Sequence, residues 1–150
     1  MLSSLSRRTV LALAGVACFV LAGSATAATM SFKVPLSGAQ QVPAVMTPAK
    51  GTADLTWDPS TRTVKWHITY SNAASAITMA HFHDGAMGKN GPVKIWLTKK
   101  GSPVASPIDG EATLTPDQAK QFEAGMWYIN VHSKDHPSGV IRGQVKMPKG

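Results

Sequence analysis

Hydrophobic and polar residues alternate along eight short segments of this chain. In residues 62–70, for example, Val64, Trp66 and Ile68 alternate with polar positions, among them His67. A period of two residues is typical of a β-strand that buries one of its faces. The segments predicted as strands are 31–36, 52–58, 62–70, 78–83, 92–98, 109–114, 126–132 and 140–147.

Turn residues separate these segments, and one segment predicts a helix. Thr115 is a suitable N-cap, and Pro116 suits the first helical position. Gln118 would complete a capping box, and Gly125 would stop the helix, which we expect at about 116–124. The sequence therefore predicts an all-β fold, an antiparallel β-sandwich or barrel of about eight strands with one short helix.

The first 28 residues predict a cleaved secretory signal peptide. Residues 1–8 are cationic, 9–23 are almost wholly apolar, and 25–27 have the small-x-small pattern that precedes a cleavage site. Arg7-Arg8 resembles the twin-arginine export signature, with an ordinary Sec signal as the alternative. A membrane anchor would need a longer apolar run of roughly 20 residues. We therefore expect a periplasmic or secreted domain of residues 29–150 that is not held in a membrane.

Loss of the signal peptide would leave a mature domain without a thiol. The single cysteine, Cys18, lies in the predicted signal, so disulfides, thiolate nucleophiles and cysteine metal ligands are excluded from the mature domain. The formal net charge is +7, and subtracting Arg7 and Arg8 leaves +5. The remaining basic residues are scattered, which argues against a nucleic-acid partner. Motifs for hydrolysis or nucleotide binding are missing from the sequence.

Histidines carry the clearest candidate chemistry. His81 and His83 are one residue apart on a predicted strand, which turns both imidazoles to the same face. His132 is out of phase with the apolar residues of its own strand and lies next to a loop. We therefore predict an outward-facing metal site on the sheet surface, with His67 and His136 as further candidate ligands. Scattered surface histidines that bind no metal are the alternative.

The type of ligand limits which metals the site would bind, and one arginine indicates a candidate substrate. Imidazoles without thiolates suit copper, zinc or nickel, and we favour copper as the cofactor, with zinc as the alternative. A hairpin of 126–132 and 140–147 would place Asn130 opposite Arg142, with Arg142 diagonal to His132. A guanidinium there could guide a small anion such as superoxide. Pairing of Arg142 with Asp84 or Asp135 is the alternative.

Six ordered blocks of the sequence resemble the CHRD domain, the repeat named after chordin. They are residues 36–43, 51–53, 80–85, 90–93, 127–133 and 137–144. The resemblance implies a stand-alone bacterial CHRD protein with an all-β sandwich fold. The growth-factor partner of chordin is not implied, because the cysteine-rich modules that accompany the domain there are missing.

A second resemblance concerns the candidate site alone. His81-x-His83, then His132 and Arg142, are similar to the copper ligands and anion-guiding arginine of copper-zinc superoxide dismutases. This likeness implies superoxide dismutase-like redox activity of a copper-only form, because a disulfide pair and a zinc-binding loop are missing. Two other functions stay open: a non-enzymatic periplasmic copper carrier or buffer, and an adhesive or protein-binding module that uses Trp57 or Trp96 and no metal.

Overall fold

A computed structural model of the chain describes residues 28–148. The predicted signal peptide lies outside these residues, apart from its last residue. Eight strands, one α-helix and a short 3-10 helix (Gly38–Gln40) follow one another, which confirms the predicted fold class. The elements are β1 (Met30–Ser37), β2 (Lys50–Asp58), β3 (Thr63–Ser71), β4 (Ile77–Asp84), β5 (Val93–Trp96), β6 (Ile108–Thr113), α1 (Pro116–Glu123), β7 (Trp127–Ser133) and β8 (Ile141–Gln144).

All eight strands form one antiparallel sheet that curls into a nearly closed barrel. The strand order is β5-β4-β7-β8-β1-β2-β3-β6, so β5 and β6 are the outermost strands. Strands β4 and β7 are neighbours although 42 residues separate the end of one from the start of the other. The pairing brings the histidines of both strands to one place. Within residues 28–148 no helix is long and apolar enough to cross a membrane.

The alternating pattern buries one face of the sheet, as predicted. On β3, Val64, Trp66 and Ile68 are buried while His67 is exposed, and on β4 Phe82 is fully buried. Trp57 is also fully buried, so the predicted alternative that Trp57 makes surface contacts is wrong. Burying an aromatic or large aliphatic side chain of this kind contributes about 1.5–3 kcal/mol.

Helix α1 begins and ends where the capping signals predict. The Thr115 hydroxyl accepts a hydrogen bond from the backbone N–H of Gln118, and the Gln118 side chain accepts one from the backbone N–H of Thr115. Gly125 follows with a φ of +71°, a conformation that favours glycine. Phe122 anchors the helix to the core, with its ring centre 5.0 Å from that of Trp57.

Candidate metal centre

Three of the five histidines lie together on β4 and β7. In the register of these strands His81 is opposite Asn130, and Met79 is opposite His132, so His81 and His132 are diagonal neighbours. His83 projects from the same face two residues further along β4. One ring nitrogen from each of the three histidines lies within 4.8 Å of the others. The shortest separation joins His81 Nδ1 and His132 Nε2, at 3.1 Å.

The site is buried, and the predicted surface exposure was wrong. His81, His83 and His132 are 3%, 9% and 6% exposed. Their phase is as predicted, since they lie on the face opposite Phe82. The difference arises because β7 is a central strand with every residue buried, including those on its outer face. Two loops, 85–92 and 134–139, each bond to a histidine on this face.

Backbone carbonyls of these loops fix the proton positions on two of the rings. His83 Nδ1 lies 2.9 Å from the Gly91 carbonyl oxygen, and His132 Nδ1 lies 2.8 Å from that of Pro137. Because a carbonyl can only accept, Nδ1 carries the proton in each ring and Nε2 keeps its lone pair. A ligand histidine commonly has this arrangement, with its second nitrogen donating to a carbonyl behind it.

Two buried ring nitrogens of the cluster have no hydrogen-bond partner among the described residues. They are the buried Nε2 atoms of His81 and His83. Buried polar atoms are nearly always bonded, so the lone pair of His83 Nε2 is available to a ligand. His81 directs its other nitrogen, Nδ1, at His132 Nε2 and would bind a metal shared with His132 through Nδ1, so its Nε2 would then carry the proton. The His132 Nε2 atom has His81 Nδ1 as its partner.

The spacing of the nitrogens fits a shared metal ion. Two nitrogens each 2.0–2.1 Å from one metal are about 2.9 Å apart at a right angle and about 3.3 Å apart at the tetrahedral angle. The 3.1 Å between His81 Nδ1 and His132 Nε2 falls between these values. The residues present therefore fit a metal that is held by imidazole.

Burial keeps the three imidazoles in the form that binds metals. Desolvation, together with smaller effects of the neighbouring His132 and His83, lowers the pKa of His81 from 6.5 to about 4. Desolvation also lowers the pKa of His83 and of His132, against the opposing effect of their carbonyl partners. All three rings are thus neutral at pH 7, and neutral imidazole is the ligand form.

The same shifts predict how the metal-free protein responds to acid. The unfolded chain takes up protons near pH 6.5, whereas folded His81 resists protonation until about pH 4. Stability is therefore complete above about pH 6.5 and falls as the pH decreases toward about 4, by up to about 3 kcal/mol for His81. Urea unfolding of the metal-free protein across this range checks the prediction. A free energy of unfolding that is constant across the window would contradict it.

The two other candidate histidines lie apart from this cluster. His67 is exposed on β3, and its Nδ1 lies 2.6 Å from Asp109 Oδ1 on β6. His136 is half-buried in the loop after β7, where its carbonyl accepts from the backbone N–H groups of Ser133 and Gly139. Neither ring belongs to the group that could share a metal.

Arg142 has the predicted register but not the predicted exposure. It pairs with Asn130 across β7 and β8, yet it is only 2% exposed. Its guanidinium carbon lies 3.5 Å from the ring centre of Tyr128. Nη1 donates to Asn90 Oδ1 at 3.1 Å, and Nη2 donates to the Lys89 carbonyl at 2.8 Å. Burial lowers the pKa of Arg142 below its ordinary value.

These contacts make Arg142 a support of the loop at 85–92. Within residues 28–148 it forms an ion pair with neither Asp84 nor Asp135, and Asp84 instead pairs with Lys94. The ring of Tyr128 stacks on that of His83, with the two ring centres 5.0 Å apart. Because β7 lies between β4 and β8, the Tyr128 ring stands between His83 and Arg142. The guidance of an anion by Arg142 stays a prediction.

Trp96 is a neighbour of the site that was not predicted from the sequence. It lies on β5 opposite His81 of β4, and the two ring centres are 4.2 Å apart in an edge-to-face arrangement. A signal was present, since Trp96 and His81 share a face if their strands pair in this register. The pairing itself could not be read from local sequence, because the register between β4 and β5 shifts between Phe82 and His83 of β4.

The family model of the CHRD domain matches residues 32–145. That stretch contains His81, His83, His132 and Arg142, together with the loops that support them. No curated protein and no solved structure matches the chain.

Proposed function

The chain belongs to the CHRD domain family, and we propose that it is an exported copper-binding member with His81, His83 and His132 as the ligands. The observation that carries the proposal is the buried cluster of three neutral imidazoles, each with one ring nitrogen within 4.8 Å of the others. Export rests on the signal-like composition of residues 1–28.

The donor set favours copper, with zinc as the alternative. All three ligands of the cluster are imidazoles, whereas calcium and magnesium prefer several oxygen ligands. At an all-nitrogen site copper generally binds more tightly than zinc. The residues of this chain would orient the rings through Gly91 and Pro137 and exclude water by burial. Bound copper would supply one-electron redox chemistry.

Two uses of the copper are compatible with this site, and we favour a carrier or buffer. Arg142 is buried and its Nη groups bond to the loop at 85–92, so its guanidinium is not free to attract a substrate anion. Superoxide dismutase-like activity is the second candidate. It is supported by the ligand count, because three protein ligands leave a coordination position for a substrate.

Titration of the mature, metal-free protein with Cu(II) tests copper binding. We expect saturation at one equivalent, with visible and electron-paramagnetic spectra of a nitrogen-ligated site, and weaker binding of Zn(II) in a parallel titration. Absence of a stoichiometric site would overturn the proposal. A superoxide-consumption assay of the copper-loaded protein separates the two uses. Turnover no faster than that of free copper would exclude superoxide dismutase-like activity and support the carrier or buffer.

A further inference from the structure

Trp96 packs against His81 of the histidine cluster at one edge of the sheet. Its strand, β5, is the outermost strand on that side, so β4 is its one neighbour in the sheet. The indole is 41% exposed, whereas the imidazole against which it packs, that of His81, is 3% exposed. One side of the indole therefore contacts solvent and the other contacts a candidate ligand.

The strand that carries Trp96 is short, and backbone hydrogen bonds from Leu97 to Ala80 and from Asp84 to Pro92 flank it. It has only four residues, and its pairing with β4 is irregular at His83. The Nζ atom of Lys100, just beyond the strand, lies 5.6 Å from the centre of the indole ring. A cation–π contact at an exposed position contributes only about 0.5–1 kcal/mol, so it would not lock the indole in place. Short outer strands of this kind open locally more readily than central ones.

We propose that Trp96 is the gate of the histidine cluster and controls the rate at which metal ions and small reagents reach His81. This deepens the proposed function and rests on it for the identity of the metal. A gate changes the rates of entry and exit by the same factor, so the equilibrium affinity is unchanged. A ligand or a residue that positions one would change the affinity instead.

A reagent that modifies imidazoles tests the gate without any metal. We would treat the metal-free protein with diethyl pyrocarbonate and follow each histidine by mass spectrometry. In Trp96→Ala we expect His81 to react at least about tenfold faster than in the wild type, because local opening is no longer needed. The exposed His67 should react at an unchanged rate and serves as the internal standard. An unchanged rate at His81 would overturn the gate whether or not the protein binds copper.

Copper exchange gives the second readout, with a matched control on the same strand. Val93 lies opposite His83 and is 42% exposed, close to the value for Trp96. We expect Trp96→Ala to accelerate both Cu(II) uptake and its removal by a chelator at least about tenfold with little change in Kd, and Val93→Ala to leave both rates unchanged. Trp96→Phe, which keeps an aromatic edge against His81, should stay close to the wild type.

The failures of the two proposals are distinguishable. A wild-type protein that binds no copper, with His81 still unmasked by Trp96→Ala, would overturn the proposed function and leave the gate in place. Faster exchange in both Trp96→Ala and Val93→Ala would indicate general loosening of β5 and would overturn the gate. A weaker affinity in Trp96→Ala with unchanged uptake would also overturn it.

Discussion

Replacing His81 and His132 together by alanine is expected to weaken Cu(II) binding at least about a thousandfold. These two histidines supply the closest pair of nitrogens in the cluster, 3.1 Å apart. A buried metal site with a binding free energy on the order of 10 kcal/mol loses well over 4 kcal/mol when two of three ligands are removed, and every 1.4 kcal/mol is a factor of ten. Titration of both proteins under identical conditions measures the loss.

The matched control removes the two histidines that lie outside the cluster. His67→Ala combined with His136→Ala deletes the same number of imidazoles, but neither ring belongs to the group that could share a metal. We expect this protein to bind Cu(II) with the wild-type stoichiometry and affinity. Equal losses in the two double variants would mean that copper binds to scattered surface histidines, and the proposed site would be abandoned.

The fold was predictable because its signals are local. The alternation in β3 and the capping box of Thr115 and Gln118 each depend on residues less than ten positions apart. The pairing of Asn130 with Arg142 was also predictable, since only a short loop joins β7 to β8. The order of all eight strands was not, because pairings such as that of β1 with β8 join distant parts of the chain.

The burial of the site depends on contacts that no local pattern contains. Strand phase places His81, His83 and His132 on one face, but it cannot tell whether that face meets solvent or a loop. The loop at 85–92 is held by Arg142, more than 50 residues further along the chain. Sequence analysis could therefore identify the histidines as a cluster, while their exposure, their tautomers and the place of Trp96 needed the tertiary structure.

Gly91→Ala should be among the most damaging single substitutions at this site. A Cβ atom on Gly91 would lie 1.6 Å from the carbonyl oxygen of Asp84, far inside van der Waals contact. The loop would have to move by more than 1 Å, and overpacking of this severity costs about 3 kcal/mol or more. We expect the midpoint of urea unfolding of the metal-free protein to fall accordingly.

The same displacement should weaken metal binding, because Gly91 supports His83 in two ways. Its carbonyl accepts the Nδ1–H of His83, and its N–H donates to the hydroxyl of Tyr128, whose ring stacks on that imidazole. Loss of a partner that orients a ligand typically lowers metal affinity about 10–100-fold. We therefore expect Gly91→Ala to lower Cu(II) affinity by a factor in this range, measured by competition with a chelator.

Gly88→Ala provides the comparison within the same loop. Gly88 has a φ of +76°, but a Cβ atom there would meet nothing within 4 Å. Alanine at such a position costs about 1 kcal/mol of backbone strain without displacing any neighbour. Cu(II) affinity should then equal that of the wild type. If both glycine variants lowered the affinity alike, flexibility of the loop rather than the contact of Gly91 with Asp84 would determine the orientation of His83.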